Sequence, residues 1–204
     1  MGFARFAYLD NPFPSLFKER LFVYLSRFCE VRYCIARHVG FLVGLGNPSG
    51  DPECLPQTIE QVLPLLRRPL PSGRELETLL TILCSTHNSP FSALPNPDTA
   101  EEKALFACAT HLFLQTPDAP KAHEALAQTL GLARLERMNV FLAFVRMAHY
   151  WTKLHRELAF EKDIQRLLAT HAVLAACILG HSASEADLLS VEVAADLNSL
   201  QELS

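Results

Sequence analysis

The sequence predicts an all-α protein, a multi-helix bundle of about eight helices. Three observations predict it. Leu, Ala, Glu and Arg, all good helix formers, dominate the chain, and β-branched residues are few. Apolar residues recur at spacings of three and four, and the alternation of a half-buried strand is hard to find. Half of the 204 residues are hydrophobic and 20% are charged, which suits a large buried core.

A first helix begins near Ser15, where Leu16, Phe17, Leu21, Tyr24, Leu25 and Phe28 trace one face. A second runs from about Val31 to Val43 and is stopped by Gly44, Gly46, Asn47 and Pro48. Residues 57–67 read as a third, with Pro64 as a kink point. Three later starts pair an N-cap oxygen with a carboxylate three residues on: Ser72 with Glu75, Asp98 with Glu101, and Ser182 with Glu185. Between the first two lies a loop at 87–97, whose three prolines cannot hold a helix.

A helix from about Ala119 ends at Gly131, in the usual C-terminal glycine position. A long one follows, about Leu135 to Phe160, with Phe141, Phe144, Val145, Met147 and Trp151. It is too apolar for a surface helix and is expected at the centre. A last well-marked helix spans about Asp163 to Leu179. No repeat of 20–50 residues is found, which argues against a solenoid. The expected organisation is one helical domain over 1–165 and a C-terminal helical extension over 166–204.

Composition excludes several classes. A net charge of −4 and a pI of about 6.1 are wrong for a nucleic-acid binder, which needs a basic footprint. The apolar fraction and 13 Phe exclude a mainly disordered chain. No uncharged apolar run approaches the length of a membrane span. The start of the chain lacks the apolar core of a secretory signal, so a cytoplasmic location is expected. The six cysteines, Cys29, Cys34, Cys54, Cys84, Cys108 and Cys177, form no Cys-x-x-Cys pair and are expected as free thiols. Cys29 and Cys34 stand at a ligand-like spacing, but no second pair completes a zinc set. No metal and no cofactor are expected.

The chemistry-bearing stretch is Phe28 to His38. Cys34 and His38 are four apart, which places both on one helical face, about 6 Å between Cβ atoms. With a helix starting near Val31, Cys34 falls in the first turn, where free N–H groups and the positive dipole end favour a thiolate. Arg37 adds a charge nearby. A thiol beside an imidazole is a common way to make a nucleophile at neutral pH. Glu19 is fifteen residues before Cys34, about 22 Å along an unbroken helix. The two meet only where the chain turns back, and Cys29 and Glu30 are the turn positions. Glu19 would then orient His38 or take a proton.

Glu19, Cys34 and His38 stand at the spacing Glu-x(11)-Cys-x-x-Cys-x-x-x-His. In this the chain resembles alkylhydroperoxidase D (AhpD), within the carboxymuconolactone decarboxylase-like family. The segments Glu19–Arg27 and Arg134–Trp151 resemble the helix before the family's cysteines and its later apolar helix. The likeness covers roughly 13–165. It implies an all-helical fold, assembly into a dimer, trimer or hexamer, and reduction of hydroperoxides through a dithiol–disulfide cycle with a thiol reductant. The second motif cysteine reacts with peroxide and the first resolves it. By this likeness Cys34, His38 and Glu19 are the catalytic positions.

The first motif cysteine is replaced here by Val31. Cys29 is the candidate resolving thiol, provided its Cα lies within about 7 Å of that of Cys34. Without it, a sulfenic acid on Cys34 needs an external thiol. The decarboxylase branch finds no distinct substrate constellation. The segment Phe22–Gly46 also resembles the N-terminal module of some bacterial PAS-containing sensor histidine kinases. That implies a degenerate module, redox-sensitive through Cys34, coupled to a downstream signalling domain. The alternative is a working thiol-dependent hydroperoxide reductase.

Overall fold

The structure, a computed structural model, describes residues 2–86 and 90–180. These residues form ten α-helices and no strand. A short α1 (Gly2–Ala4) runs into a π-helical turn at Arg5–Leu9. Then follow α2 (Ser15–Phe28), α3 (Arg32–Leu42), a 3-10 turn (Pro48–Gly50) and α4 (Ile59–Arg67). After these come α5 (Gly73–Thr86), α6 (Ala100–Leu114), α7 (Ala119–Leu130) and α8 (Leu132–Leu154). The last two are α9 (Lys162–Thr170) and α10 (Ala172–Leu179). The all-α class is as expected. The count exceeds eight because α1 was not foreseen and the helix expected over 163–179 breaks at His171, whose φ and ψ are −128° and 78°. The start signal at Ser182 lies outside the described residues.

The central helix is α2, which corrects the expectation for α8. Every residue of α2 from Phe17 to Ser26 is buried, Lys18, Glu19 and Arg20 among them. Each of these three charges has its own partner. The Lys18 ammonium donates to the carbonyls of Tyr8, Leu9 and Asn11 at 2.7, 3.3 and 3.2 Å. Arg20 makes a bidentate pair with Glu102 of α6, at 2.7 and 2.9 Å, and reaches Asp98 at 2.8 Å. Glu19 belongs to the site described below. Burial of charge is tolerable only with such pairing.

Helix α8 instead lies with one face inward. Leu135, Met138, Phe141, Leu142, Val145 and His149 are buried along it. Met147, Tyr150, Trp151 and Leu154 are exposed on the outer side. It ends at Leu154, short of Phe160. The chain turns there so that Phe160 stacks on Tyr33, with centroids 6.4 Å apart, and Glu161 accepts a 2.6 Å hydrogen bond from the Tyr33 hydroxyl.

The start of α6 is one residue later than its capping signal. Thr99, not Asp98, is the N-cap and accepts from the Glu102 amide at 3.2 Å. The Glu102 carboxylate is drawn to Arg20. The boundary expected at 165 falls inside α9, whose Ile164 and Leu168 are buried in the same core as Leu174 and Ile178 of α10. Among the described residues no helix is long and apolar enough to cross a membrane.

Candidate functional site: a buried carboxylate–imidazole pair beside Cys34

Helices α2 and α3 form an antiparallel pair because the chain reverses at Cys29 and Glu30. Cys29 closes α2, Glu30 takes φ +54°, and the Val31 amide returns to the Ser26 carbonyl at 3.2 Å. This turn brings Glu19 back over α3. Its Oε2 lies 2.6 Å from His38 Nδ1. The other oxygen, Oε1, accepts from the Tyr8 hydroxyl, and from the Ser49 amide and hydroxyl at 2.6 and 3.1 Å.

Two remote elements therefore complete the carboxylate's shell. Tyr8 comes from the π-helical turn, which the Lys18 ammonium holds by its carbonyls. Asn11 anchors the same segment to α8 by donating to the Arg137 carbonyl at 3.1 Å. Ser49 comes from the 3-10 turn with φ 48° and ψ 29°, a left-handed conformation uncommon for serine. Burial pushes the Glu19 carboxyl up. The His38 imidazole, with the Tyr8 and Ser49 donors, outweighs this and holds it below its ordinary range. Tyr8 is driven the other way: burial and the adjacent Glu19 raise its phenol well above normal, so it stays a donor.

His38 is fixed on its ring faces as well. It stacks on Phe22, with centroids 3.6 Å apart and planes at 17°. A carboxylate accepting at Nδ1 sets the tautomer: Nδ1 carries the proton and Nε2 the lone pair in the neutral ring.

Cys34 is the third residue of α3, inside its first turn, with Val31 as N-cap. The sulfur is 3.4 Å from Thr152 Oγ1 of α8. The expected lowering of its pKa does not occur. Burial pushes the thiol up, and the Thr152 contact offsets this in part. Arg37 does not help it, because its guanidinium reaches Asp163 at 2.9 Å and the Leu45 carbonyl at 2.6 Å. Cys34 and His38 share the wall of a cavity of about 420 Å³, whose other side is Phe144, Met147, Trp151 and Thr152 of α8.

Cys29 is a half-buried free thiol at the C-terminal end of α2 and is not part of that wall. Burial raises its pKa against the opposing charges of Lys153 and Arg146. Val31, at the place of the absent cysteine, is buried in the core.

Behind Phe22 lies a second imidazole. His149 Nε2 pairs with Ser26 Oγ at 2.7 Å, while Nδ1 is buried without a hydrogen-bond partner. Burial pushes its pKa down to about 4, with the neighbouring positive groups adding to the effect. The sequence spacing found Glu19, Cys34 and His38. It did not find Tyr8, Ser49 or Thr152, which arrive from elements outside that spacing. No family model, no curated protein and no solved structure matches the chain.

Proposed function

We propose that the chain is a degenerate AhpD-like module in which Cys34 is a redox-sensitive thiol serving sensing or signalling. The observation that carries this reading is the 2.6 Å contact between Glu19 and His38, one helical turn beyond Cys34 on the same cavity. It supplies a base whose tautomer is set by a buried carboxylate. Three features favour a slow, switch-like thiol over an efficient two-cysteine cycle. Val31 replaces one motif cysteine, Cys29 lies off the cavity wall, and burial raises the Cys34 pKa.

In the reaction, the Cys34 sulfur attacks the distal oxygen of a hydroperoxide. An S–O bond forms, the O–O bond breaks, and an alcohol leaves. Sulfur is oxidised by two electrons and the peroxide is reduced by two. The thiol proton passes through His38 to the leaving oxygen. An external thiol then condenses with the sulfenic acid, releasing water, and a second thiol frees Cys34.

The alternative is a thiol-dependent hydroperoxide reductase, favoured by the same Glu19–His38 pair. The experiment follows peroxide consumption with and without added thiol, together with sulfenic-acid trapping on Cys34. Stoichiometric trapping with little turnover supports the sensing reading. Sustained turnover lost in Cys34→Ser supports the reductase. Peroxide chemistry unchanged in Cys34→Ser overturns both. For partners, the exposed Tyr150 and Leu154 of α8 favour a homo-oligomer with this pair covered.

A further inference from the structure

The cavity beside Cys34 has more wall than thiol chemistry requires. Six aromatic side chains line it: Tyr8, Phe22, Tyr33, Phe41, Phe144 and Trp151. No Asp, Glu, Lys or Arg stands among its lining residues. The nearby charges face elsewhere. Both oxygens of Glu19 are taken by His38, Tyr8 and Ser49. Lys18 is spent on backbone carbonyls, and Arg37 on Asp163 and Leu45. A charged ligand entering here would lose its hydration and gain no counter-charge.

The polar partners left to a ligand are few: Cys34 Sγ and Thr152 Oγ1 lie 3.4 Å apart, His38 shares the wall, and the Tyr8 and Tyr33 hydroxyls already donate to Glu19 and Glu161. The floor is sealed, with Phe22 1% exposed, while Met147 and Trp151 at the other side are 45% and 51% exposed. A volume of about 420 Å³ lies within the range of small-molecule sites.

We infer that this cavity is a binding site for an uncharged, ring-bearing small molecule carrying one hydroxyl or carbonyl. The rings lie among the aromatic faces and edges of the wall. The single polar group meets Thr152 or His38. The bound molecule covers the Cys34 sulfur, so occupancy and thiol reactivity are coupled. The inference goes beyond the redox reading, since binding needs the wall and not oxidation of Cys34.

The test uses the full, reduced chain and 2-naphthol, with the anion 2-naphthoate as its charged match. Binding is read by calorimetry. Cys34 is read by its rate of alkylation with iodoacetamide, with exposed Cys84 as the internal reference. The expected result is saturable binding of one 2-naphthol per chain and at least tenfold slower alkylation of Cys34, with Cys84 unchanged. Binding of 2-naphthoate is expected to be at least tenfold weaker. Ala148→Trp, which fills the cavity, abolishes binding. Phe144→Leu, a milder change, weakens it without unfolding the chain.

Equal affinity for the anion, no saturable binding, or undiminished binding in both variants overturns the inference. So does Cys34 alkylation that accelerates on dilution of the ligand-free protein, which would show a second copy filling the cavity. Naphthol binding without sulfenic-acid formation on Cys34 leaves this inference standing and overturns the redox reading, and trapping without binding does the reverse, so the two readings fail separately.

Discussion

Glu19 carries the site, and its charge state divides the pH behaviour of the protein. The folded carboxyl sits below its ordinary range, so its stabilising contribution is complete above about pH 4.3 and is lost as pH falls through the lower folded value. Glu19→Gln leaves His38 without a counter-charge. We expect Cys34 oxidation by hydroperoxide to slow by about 100-fold, the scale of a positioned base, measured by stopped-flow sulfenic-acid trapping. His149 acts in a separate window. Its folded pKa is pushed from 6.5 to about 4, so the unfolded chain binds the extra proton between those values. Stability therefore falls on acidification from about pH 6.5 to 4, by a total on the order of 3 kcal/mol. His149→Gln, which keeps a partner for Ser26, should flatten the thermal midpoint against pH across that range. An unchanged slope would remove His149 as the cause.

At the scale of elements, the turn between α2 and α3 decides whether a site exists. Glu30 holds φ +54° there, a conformation that glycine adopts without steric cost. Glu30→Gly should raise the urea midpoint, by about 0.5–1 kcal/mol in stability, and leave Cys34 reactivity intact. A lowered midpoint would show that the Glu30 side chain itself matters. This turn was legible in the sequence, because Glu19 and Cys34 can share a site only if the chain reverses between them. Other boundaries were not. The break at His171 and the end of α8 at Leu154 involve no glycine or proline, so apolar periodicity runs straight through both. Thr58 and Gln61 form a true capping box, a start signal that the sequence does display. Tyr8 and Ser49 carried no signal, since they meet Glu19 only in the folded chain.

For the whole molecule, apolar content alone does not mark the central helix. Helix α8 looked central because apolar residues occupy its outer face too, whereas the charged run Lys18, Glu19 and Arg20 gives no sign in the sequence that α2 is the buried one. The exposed side of α8 then has a consequence in solution. Replacing Tyr150 and Leu154 together by Glu should shift the protein to a smaller species in sedimentation, with helical content kept. An unchanged sedimentation coefficient would leave that face without a self-contact.

The three neighbouring ions of α2 also govern how the molecule comes apart. Each is satisfied by a different region: the N-terminal turn for Lys18, α3 for Glu19, and α6 for Arg20. A half-docked α2 would strand at least one ion away from both water and its mate. Intermediates with this helix loosely seated are thereby penalised, and the protein is driven towards all-or-none melting by its least oily stretch of core.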